Sequence, residues 1–232
     1  MTGAGAGQLF IISGPSGSGK SSVVSFVVNS LPDMMFSISY TTREPRAGEQ
    51  DGRDYRFISR EAFETMLARG ELLEHAQVFG SYYGTHRSIL EEARRQGKDV
   101  VLDIDVEGTR QVKSSLARAV AILLLPPSRQ ELERRLQQRA LDTAEMVQRR
   151  LERARQEIEN YRLYDYLIVN RVLADTCAQV QAIVLAERTR RAGPAGSSPE
   201  ARAAEARAAG ARTEANRSQV SAILESFGAQ TQ

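Results

Sequence analysis

Short apolar runs alternate with longer stretches of mixed polarity along most of the chain. Leu9–Ile12, Asp99–Asp103, Val120–Leu125 and Asp165–Asn170 are mainly apolar runs of strand length, which is typical of strands buried on both faces. Between them lie segments with apolar residues at helical spacing, the last from Ala174 to Arg188. This alternation predicts an α/β fold in which helices flank a parallel sheet.

Residues 36–96 depart from the alternation of long strands and helices. They carry short alternating apolar runs, broken by Pro and Gly, which indicates a small, β-rich insert. Within this insert we predict a helix over Ser59–Leu67, with Ser59 as its N-cap, and a second helix over Thr85–Gln96.

Residues 128–164 are rich in charged residues and predicted to be helical, with a break near residues 140–143. The predicted domain then covers residues 8–191, and its core is made of residues 8–35, 97–127 and 165–191.

The composition changes after about residue 191. Residues 192–232 are rich in Ala, with Gly, Pro and Arg, and contain few larger apolar side chains. Such a segment buries little apolar surface, so we expect a disordered tail. An apolar stripe near the end predicts a short helix over residues 219–227, which would be stable only if it docks. The stripe consists of Val220, Ile223, Leu224 and Phe227.

Composition narrows the classes of function. A net charge of +2 over 232 residues gives no general case for nucleic-acid binding. The sequence has no apolar run long enough to span a membrane, and its first residues lack the pattern of a secretory signal. We therefore expect a cytoplasmic protein. The single cysteine, Cys177, excludes an intrachain disulfide and a cysteine metal cluster.

The first chemical motif follows the first predicted strand. Gly14–Ser21 matches the phosphate-loop pattern G-x4-G-K-[ST], between that strand and a predicted helix. In such a loop backbone N–H groups hold phosphates, Lys20 can reach the β- and γ-phosphates, and the Ser21 hydroxyl can bind Mg²⁺. We therefore predict a nucleoside triphosphate site. Its phosphates are expected to contact Gly14, Pro15, Ser16, Gly17, Ser18, Gly19, Lys20, Ser21 and Ser22.

Three further stretches decide which phosphate-loop family the chain resembles. They are SISYTTREPRAGEQDGRDYRF, ELLEHAQVFGSYYGT and VVLDIDVEG, in this order behind GPSGSGKSS. Together these motifs resemble the guanylate kinase family from about Leu9 to Arg188. The resemblance implies a phosphate-loop nucleoside monophosphate kinase fold with a GMP-binding insert and a lid. It also implies Mg²⁺-dependent transfer of the γ-phosphoryl group of ATP to GMP or dGMP, in purine nucleotide recycling.

Arg43, Arg46 and Tyr55 lie close together in the predicted insert. Two arginines and a tyrosine hydroxyl can surround a dianionic phosphate through charge-assisted hydrogen bonds. The resemblance places the phosphate of GMP at these residues, with Tyr83 as a further donor. The resemblance also assigns GMP contacts to Ser39, Glu49 and Gly84.

Guanine presents two adjacent donors, N1–H and the N2 amino group, and a carboxylate offers two adjacent acceptors. The resemblance assigns this acceptor role to Glu74, with Thr85 and Asp105 at the same guanine site. Adenine carries a donor at its 6-position and nothing at C2, so these residues should discriminate against AMP.

The arginine-rich region 128–164 corresponds to the lid of the family. The resemblance implies that Arg135, Arg139 and Arg150 reach the phosphates when the lid closes, and it counts them as catalytic with Lys20 and Arg43. Phosphoryl transfer depends on positioning and on stabilising the spreading charge, which such arginines can supply. Most of the other arginines in this region are expected on solvated helix faces, paired with nearby glutamates. This group consists of Arg129, Arg134, Arg149, Arg153 and Arg155.

Two further assignments concern ATP and its metal ion. Asp103 ends an apolar strand, where an acid in phosphate-loop enzymes can hold Mg²⁺ together with Ser21. Asn170 matches the family position near the adenine of ATP. The family commonly follows this position with an acidic residue, whereas Arg171 follows it here.

Two alternatives compete with a GMP kinase. Guanylate-kinase-like domains of scaffold proteins keep the fold and bind peptides, but they tend to lose the phosphate-loop lysine, which this chain retains as Lys20. A kinase of the same fold could act on a sugar phosphate such as a ribose bisphosphate, although Glu74 with Thr85 favours guanine. The sequence leaves the oligomeric state open, a homo-oligomer included.

Overall fold

Strands and helices alternate along the chain, as the apolar pattern predicts. The computed structural model describes residues 7–78, 80–138, 143–193 and 198–228. The strands are β1 (Leu9–Ser13), β2 (Met34–Phe36), β3 (Tyr40–Thr41), β4 (Arg56–Phe57), β5 (Leu72–Val78), β6 (Ser81–His86), β7 (Asp99–Asp103), β8 (Val120–Leu125) and β9 (Tyr166–Val169). The helices are α1 (Lys20–Ser30), α2 (Arg60–Ala68), α3 (Ser88–Gln96), α4 (Val106–Ser115), α5 (Arg129–Gln137), α6 (Ala144–Glu159), α7 (Leu173–Ala192), α8 (Pro199–Gly210) and α9 (Arg217–Gly228).

The main sheet has five strands in the order β2-β7-β1-β8-β9, and all of its pairings are parallel. Every residue of β1 and β8 is buried, because helices cover both faces of the sheet. Alternate residues of β8 belong to opposite core clusters: Leu123 and Leu125 face one side, and Ile122 and Leu124 face the other. The predicted α/β fold with a parallel sheet is confirmed.

A second sheet forms within residues 36–96, in the order β4-β3-β6-β5. Ser59 caps α2 as predicted, because its hydroxyl accepts a hydrogen bond from the Ala62 N–H at 3.1 Å. The prediction of a helix from Thr85 to Gln96 is wrong at its beginning. Thr85 lies in β6, where it pairs with Glu74 of β5, and the helix begins only at Ser88.

The arginine-rich region forms α5 and α6, capped by the hydroxyls of Ser128 and Thr143. Leu132 and Leu136 of α5 and Leu151 of α6 are buried in one core cluster. Charged side chains occupy the remaining faces, as the sequence indicates. The predicted break at 140–143 falls mainly on residues 139–142, which lie outside the described residues.

The expectation of a disordered tail is wrong for residues 198–228, which form α8 and α9. Ser198 caps α8, which packs along α7 and buries Ala204 and Ala208. The small alanine side chains let the two helices approach closely, so a segment poor in large apolar residues can still pack. The remaining tail residues, 194–197 and 229–232, lie outside the described residues.

The segment between α8 and α9 covers the edge of the main sheet. The Leu167 N–H of β9 donates to the Ala211 carbonyl at 2.8 Å, and the Thr213 N–H donates to the Asp165 carbonyl at 3.1 Å. An antiparallel bridge joins Tyr166 to Arg212. These contacts give hydrogen-bond partners to backbone groups that an open edge strand would expose.

The apolar stripe near the end forms the docked face of α9, which begins two residues before and ends one residue after the predicted 219–227. Val220, Ile223 and Phe227 are buried in the same cluster as the apolar residues of α5 and α6. The Arg129 N–H at the start of α5 donates to the Ser226 hydroxyl at 2.9 Å. No helix in the described part of the chain is long and apolar enough to cross a membrane.

We predict that the amide hydrogens of α9 exchange slowly, because a helix of 12 residues is stable in water only when it docks. Ile223→Asp puts a carboxylate into the core cluster and should release α9, which raises exchange over residues 217–228 by about 100-fold. Ala222→Asp, on the exposed side of the same helix, is the control and should leave the rates unchanged. Fast exchange of α9 in the unaltered protein would contradict docking.

Candidate active site

The phosphate loop turns from β1 into α1 through three glycines in left-handed backbone conformations. Gly14, Gly17 and Gly19 have φ values of +143°, +91° and +95°. A Cβ atom on Gly14 would lie 2.2 Å from the Leu124 carbonyl oxygen, and one on Gly19 would lie 2.4 Å from the Asn170 amide nitrogen. Both the conformation and the close contacts therefore require glycine.

Lys20 is the first residue of α1, and its ammonium donates to the Gly14 carbonyl at 2.5 Å. The residue before it, Gly19, has no side chain to cap the helix. The first N–H groups of α1 therefore keep their capacity to bind an anion, and the helix dipole adds partial positive charge there. This is the arrangement that the motif predicts for binding phosphates.

Asn170 supports the loop from behind. This buried residue follows β9, and its amide donates to the Ser18 carbonyl at 2.7 Å. Its own oxygen accepts a hydrogen bond from the Thr176 hydroxyl at 3.0 Å. Arg135 of α5 donates to the Asn170 carbonyl at 2.9 Å and to Glu131 at 2.8 Å. Arg135 thus joins the lid region to the back of the phosphate loop.

Arg43 organises a second cluster in the insert. Its guanidinium donates to both carboxylate oxygens of Glu49 at 2.9 Å and, through Nε, to the Tyr83 hydroxyl at 3.2 Å. The Arg46 N–H donates to the same Glu49 at 2.8 Å, and the Arg43 guanidinium lies 5.3 Å from the centre of the Tyr55 ring. Hydrogen bonds from Arg43 lower the pKa of Glu49, which keeps that carboxylate charged. Glu49 fixes the arginine in place.

Glu74 is a buried carboxylate on β5, with 5% of its surface exposed. The Thr85 hydroxyl donates to its Oε1 at 2.6 Å across the β5–β6 pair. Burial raises the pKa of Glu74 to about 7, the Thr85 hydrogen bond opposes this rise, and the charge of Asp105 adds to it. Asp105 begins α4, where its Oδ1 accepts from the Gly108 N–H at 3.0 Å.

One cavity of about 790 Å³ joins the phosphate loop to the insert and to α6. The loop contributes Gly14, Pro15, Ser16 and Lys20 to its walls. The insert contributes Ser39, Arg43, Arg46, Glu49 and Tyr55, and also Glu74, Tyr83 and Gly84. The far side is formed by Asp103, Asp105 and Arg150. The structure therefore gathers residues that are up to 143 positions apart in the sequence, from Gly14 to Glu157, around one space.

A neighbouring cavity of about 300 Å³ holds the rest of the phosphate loop: Gly17, Gly19, Ser21 and Ser22. It shares Lys20, Tyr55 and Asp103 with the larger one, so the two are continuous. Burial raises the pKa of Asp103, and the positive charge of Lys20 opposes that rise. A hydroxyl and a carboxylate thus face the same small space.

Four predicted site residues do not line these cavities. Ser18, Thr85 and Asn170 are buried behind the walls, and Arg135 is held by Glu131 and the Asn170 carbonyl. Their contacts support the residues that form the walls. Arg139 lies outside the described residues.

The comparisons with known proteins agree on one family. The family model described as guanylate kinase matches residues 6–187. A guanylate kinase of Koribacter versatilis is 49% identical over 225 residues, which cover 96% of each chain. A guanylate kinase of Alkalilimnicola ehrlichii is 46% identical over 184 residues, 79% of this chain and 91% of its own length. This chain belongs to the guanylate kinase family.

A solved structure agrees with this assignment to the guanylate kinase family. The crystal structure of guanylate kinase from Anaplasma phagocytophilum is 34% identical and superposes with a TM-score of 0.64. It covers 79% of this chain and 87% of its own chain. The longer match to the Koribacter versatilis protein extends into the segment that forms α8 and α9 here.

Sequence reasoning missed Arg153 as a residue of the guanylate kinase site. It predicted a solvated arginine paired with a nearby glutamate, and Arg153 does donate to Glu157 at 3.0 Å. Arg153 also donates to Asp105 Oδ2 at 3.3 Å and lines the larger cavity. The available signal was its spacing, because Arg153 lies three residues after Arg150 and so on the same side of α6.

We predict that Asn170→Ala weakens the phosphate loop. The substitution leaves the buried Ser18 carbonyl without its side-chain donor, so the free energy of unfolding should fall by about 1–3 kcal/mol. The KM for ATP should rise because the loop backbone loses its support. Urea unfolding and steady-state kinetics measure the two effects, with Asn29→Ala on the exposed side of α1 as control. An unchanged KM for ATP would contradict the supporting role.

Proposed function

We propose that this protein transfers the γ-phosphoryl group of ATP to the phosphate of GMP or dGMP, which gives ADP and the guanosine diphosphate. The observation that carries the proposal is the single cavity that joins a phosphate loop, an arginine cluster and a buried carboxylate. Membership of the guanylate kinase family supports the same reaction.

In this mechanism ATP lies with its phosphates on the loop from Gly14 to Ser22. Backbone N–H groups and the start of α1 hold the phosphates, and the Lys20 ammonium leaves the Gly14 carbonyl for the β- and γ-phosphates. The contact between Lys20 and Gly14 holds the ammonium beside the site.

The phosphate of GMP binds at Arg43, Arg46, Tyr55 and Tyr83. Arg43 is already oriented by both oxygens of Glu49 and by Tyr83, so little side-chain entropy is lost when the phosphate binds. Two arginines neutralise the dianion and lower its repulsion of the incoming phosphoryl group.

The base of GMP is read by Glu74. Both carboxylate oxygens can accept, one from N1–H and the other from the N2 amino group, while Thr85 holds Oε1 from the protein side. Adenine has no donor at N1 or C2, so with AMP the buried Glu74 carboxylate would keep only the hydrogen bond from Thr85, which disfavours AMP.

Ser21 and Asp103 fit the requirements of Mg²⁺. A hydroxyl and a carboxylate face one small space beside the loop, and Mg²⁺ prefers oxygen ligands, of which proteins commonly supply one or two. No group of three or more His, Cys, Asp or Glu side chains within the described ranges could hold a metal ion, which suits a metal held largely by phosphates and water. When bound, Mg²⁺ would neutralise charge on the phosphates.

The transfer itself depends on positioning and charge. The phosphate oxygen of GMP attacks the γ-phosphorus in line, and the bond to the β-phosphate oxygen breaks as ADP leaves. Arg150 on the cavity wall supplies positive charge to the oxygens of the transferring group. Arg135 and Arg139 of the lid region would add to this charge only once the lid closes and Arg135 leaves Glu131 and the Asn170 carbonyl. Exclusion of water by the lid protects the phosphoryl group from hydrolysis.

Release of ADP with different acceptors tests the proposed reaction. We expect rapid ADP release from Mg-ATP with GMP and dGMP, and at least about 1,000-fold lower kcat/KM with AMP. Glu74→Ala should weaken GMP binding and lower the ratio of kcat/KM for GMP to that for AMP, whereas Lys20→Ala should chiefly lower kcat. A ratio unchanged in Glu74→Ala would disprove the guanine assignment. Absence of ADP release with every nucleotide and sugar phosphate would favour a peptide-binding domain.

The protonation of Glu74 predicts a pH dependence. Burial and the negative charge of Asp105 both disfavour the ionised form of Glu74 and raise its pKa to about 7. Only the ionised form offers two acceptors to guanine. The kcat/KM for GMP should therefore fall by about tenfold as the pH is lowered from 8 to 6. The phosphate of GMP titrates in the same range, so Glu74→Gln, which has no carboxyl to titrate, provides the baseline. Identical profiles for both proteins would contradict the prediction.

Several expectations about the surroundings of the reaction stay predictions. This group comprises a cytoplasmic location, the absence of nucleic-acid partners and the identity of Mg²⁺ as the metal, while the oligomeric state stays open, a homo-oligomer included. The requirement for a metal ion is the most direct of these predictions to test. Titration of ADP release with Mg²⁺ in the presence of a chelator should show an absolute requirement for a divalent cation.

A further inference from the structure

One face of α4 packs against the part of β5 that carries Glu74. Asp105, Gly108 and Gln111 follow one another at intervals of three residues, so they lie along one side of the start of α4. Asp105 is on the cavity wall, whereas Gly108 and Gln111 contact β5 directly. Neither Gly108 nor Gln111 has a role in the mechanism above.

Gln111 holds the backbone of the residue that follows Glu74. Its amide oxygen accepts a hydrogen bond from the His75 N–H at 3.0 Å, and its amide nitrogen donates to the His75 carbonyl at 2.9 Å. β5 is an edge strand of the second sheet, so part of its backbone faces away from β6. Gln111 takes the place that a neighbouring strand would have at this point.

Gly108 lies against the carboxylate itself. A Cβ atom at this position would be 2.6 Å from Glu74 Oε2 and 3.2 Å from the carboxyl carbon. Real Cβ atoms essentially never lie as close as 2.6 Å to another heavy atom, so any larger residue would push the carboxylate away from the helix. Gly108 is therefore the surface that sets how deep the Glu74 carboxylate lies.

Three contacts thus fix Glu74. Thr85 holds Oε1, Gly108 limits the position of Oε2, and Gln111 holds the adjacent backbone. Recognition of guanine needs both carboxylate oxygens in the plane of the base, so a small rotation or shift would lose one of two hydrogen bonds. The hydrogen bond to the 2-amino group distinguishes guanine from hypoxanthine, which lacks this group.

We infer that Gln111 and Gly108 are positioning residues that set the selectivity of this site for the 2-amino group of guanine. The inference rests on the proposed role of Glu74. Gln111 and Gly108 act through Glu74 without touching the nucleotide. Their effect should therefore appear in discrimination between GMP and IMP, and not in the handling of ATP.

The test compares Gln111→Met with the unaltered protein. Methionine has nearly the same length and volume but cannot make the two hydrogen bonds to His75. We expect the ratio of kcat/KM for GMP to that for IMP to fall by about tenfold, the worth of one hydrogen bond. The KM for ATP and the kcat/KM for IMP should be unchanged. Gln96→Met removes an exposed amide from α3 and should leave the ratio unchanged.

Gly108→Ala provides an independent variant, because it displaces the carboxylate and leaves the Gln111 contacts to His75 in place. It should lower the same ratio. Thermal unfolding of each variant shows whether it folds, and the ratio is compared only among folded variants. An unchanged ratio in folded Gln111→Met and Gly108→Ala would overturn the inference, as would an equal fall for GMP and IMP.

Glu74→Gln separates this inference from the proposed function. If Glu74→Gln loses the preference for GMP over IMP while both α4 variants keep it, Glu74 reads the base and the inference about α4 is wrong. If Glu74→Gln keeps the preference, the proposed role of Glu74 fails, and the inference falls with it. Loss of the preference in all three variants supports both.

Discussion

The parallel pairing of β1 with β7 and β8 is the constraint on which the site depends. Parallel strands end at the same edge of a sheet, so β1 delivers the phosphate loop beside Asp103, its register partner being Ile12. β9 ends at the same edge and brings Asn170 behind the loop, where its amide binds the Ser18 carbonyl. A slip of either strand would separate groups that must meet at the phosphates.

The charged groups of the site are held by one another while no nucleotide is bound. Glu49 engages Arg43, and Asp105 engages Arg153, so the desolvation of each charge is partly offset before substrate arrives. Glu74 differs from these ion pairs. Its buried carboxylate accepts a hydrogen bond from the Thr85 hydroxyl, which does not offset the desolvation, so its pKa rises. A buried carboxylate with a single donor gains most from a ligand that brings two adjacent donors. The position of Glu74 relative to the base is therefore important for binding guanine.

The C-terminal segment covers the edge of the main sheet and packs against the lid region. The backbone around Ala211 and Thr213 pairs with β9, and α9 fills a groove between α5 and α6. A short helix of this kind is stable only when it packs against another part of the protein. The sequence of an Ala-rich segment gives little indication of which part that is. The apolar stripe of α9 predicted the helix, whereas its binding site on α5 and α6 comes from residues distant in sequence.

The sequence alone determined the alternation of strands and helices and the phosphate loop, because these depend on local pattern and motif spacing, while the residues of the GMP site were assigned by resemblance to the family. Only the tertiary structure decided which of those residues form the cavity walls. Thr85 was expected in a helix and instead pairs with Glu74, since the partner strand outweighs local helical preference. Gln111 and Gly108 gave no local signal, because their roles consist of contacts with residues 34 to 36 positions away.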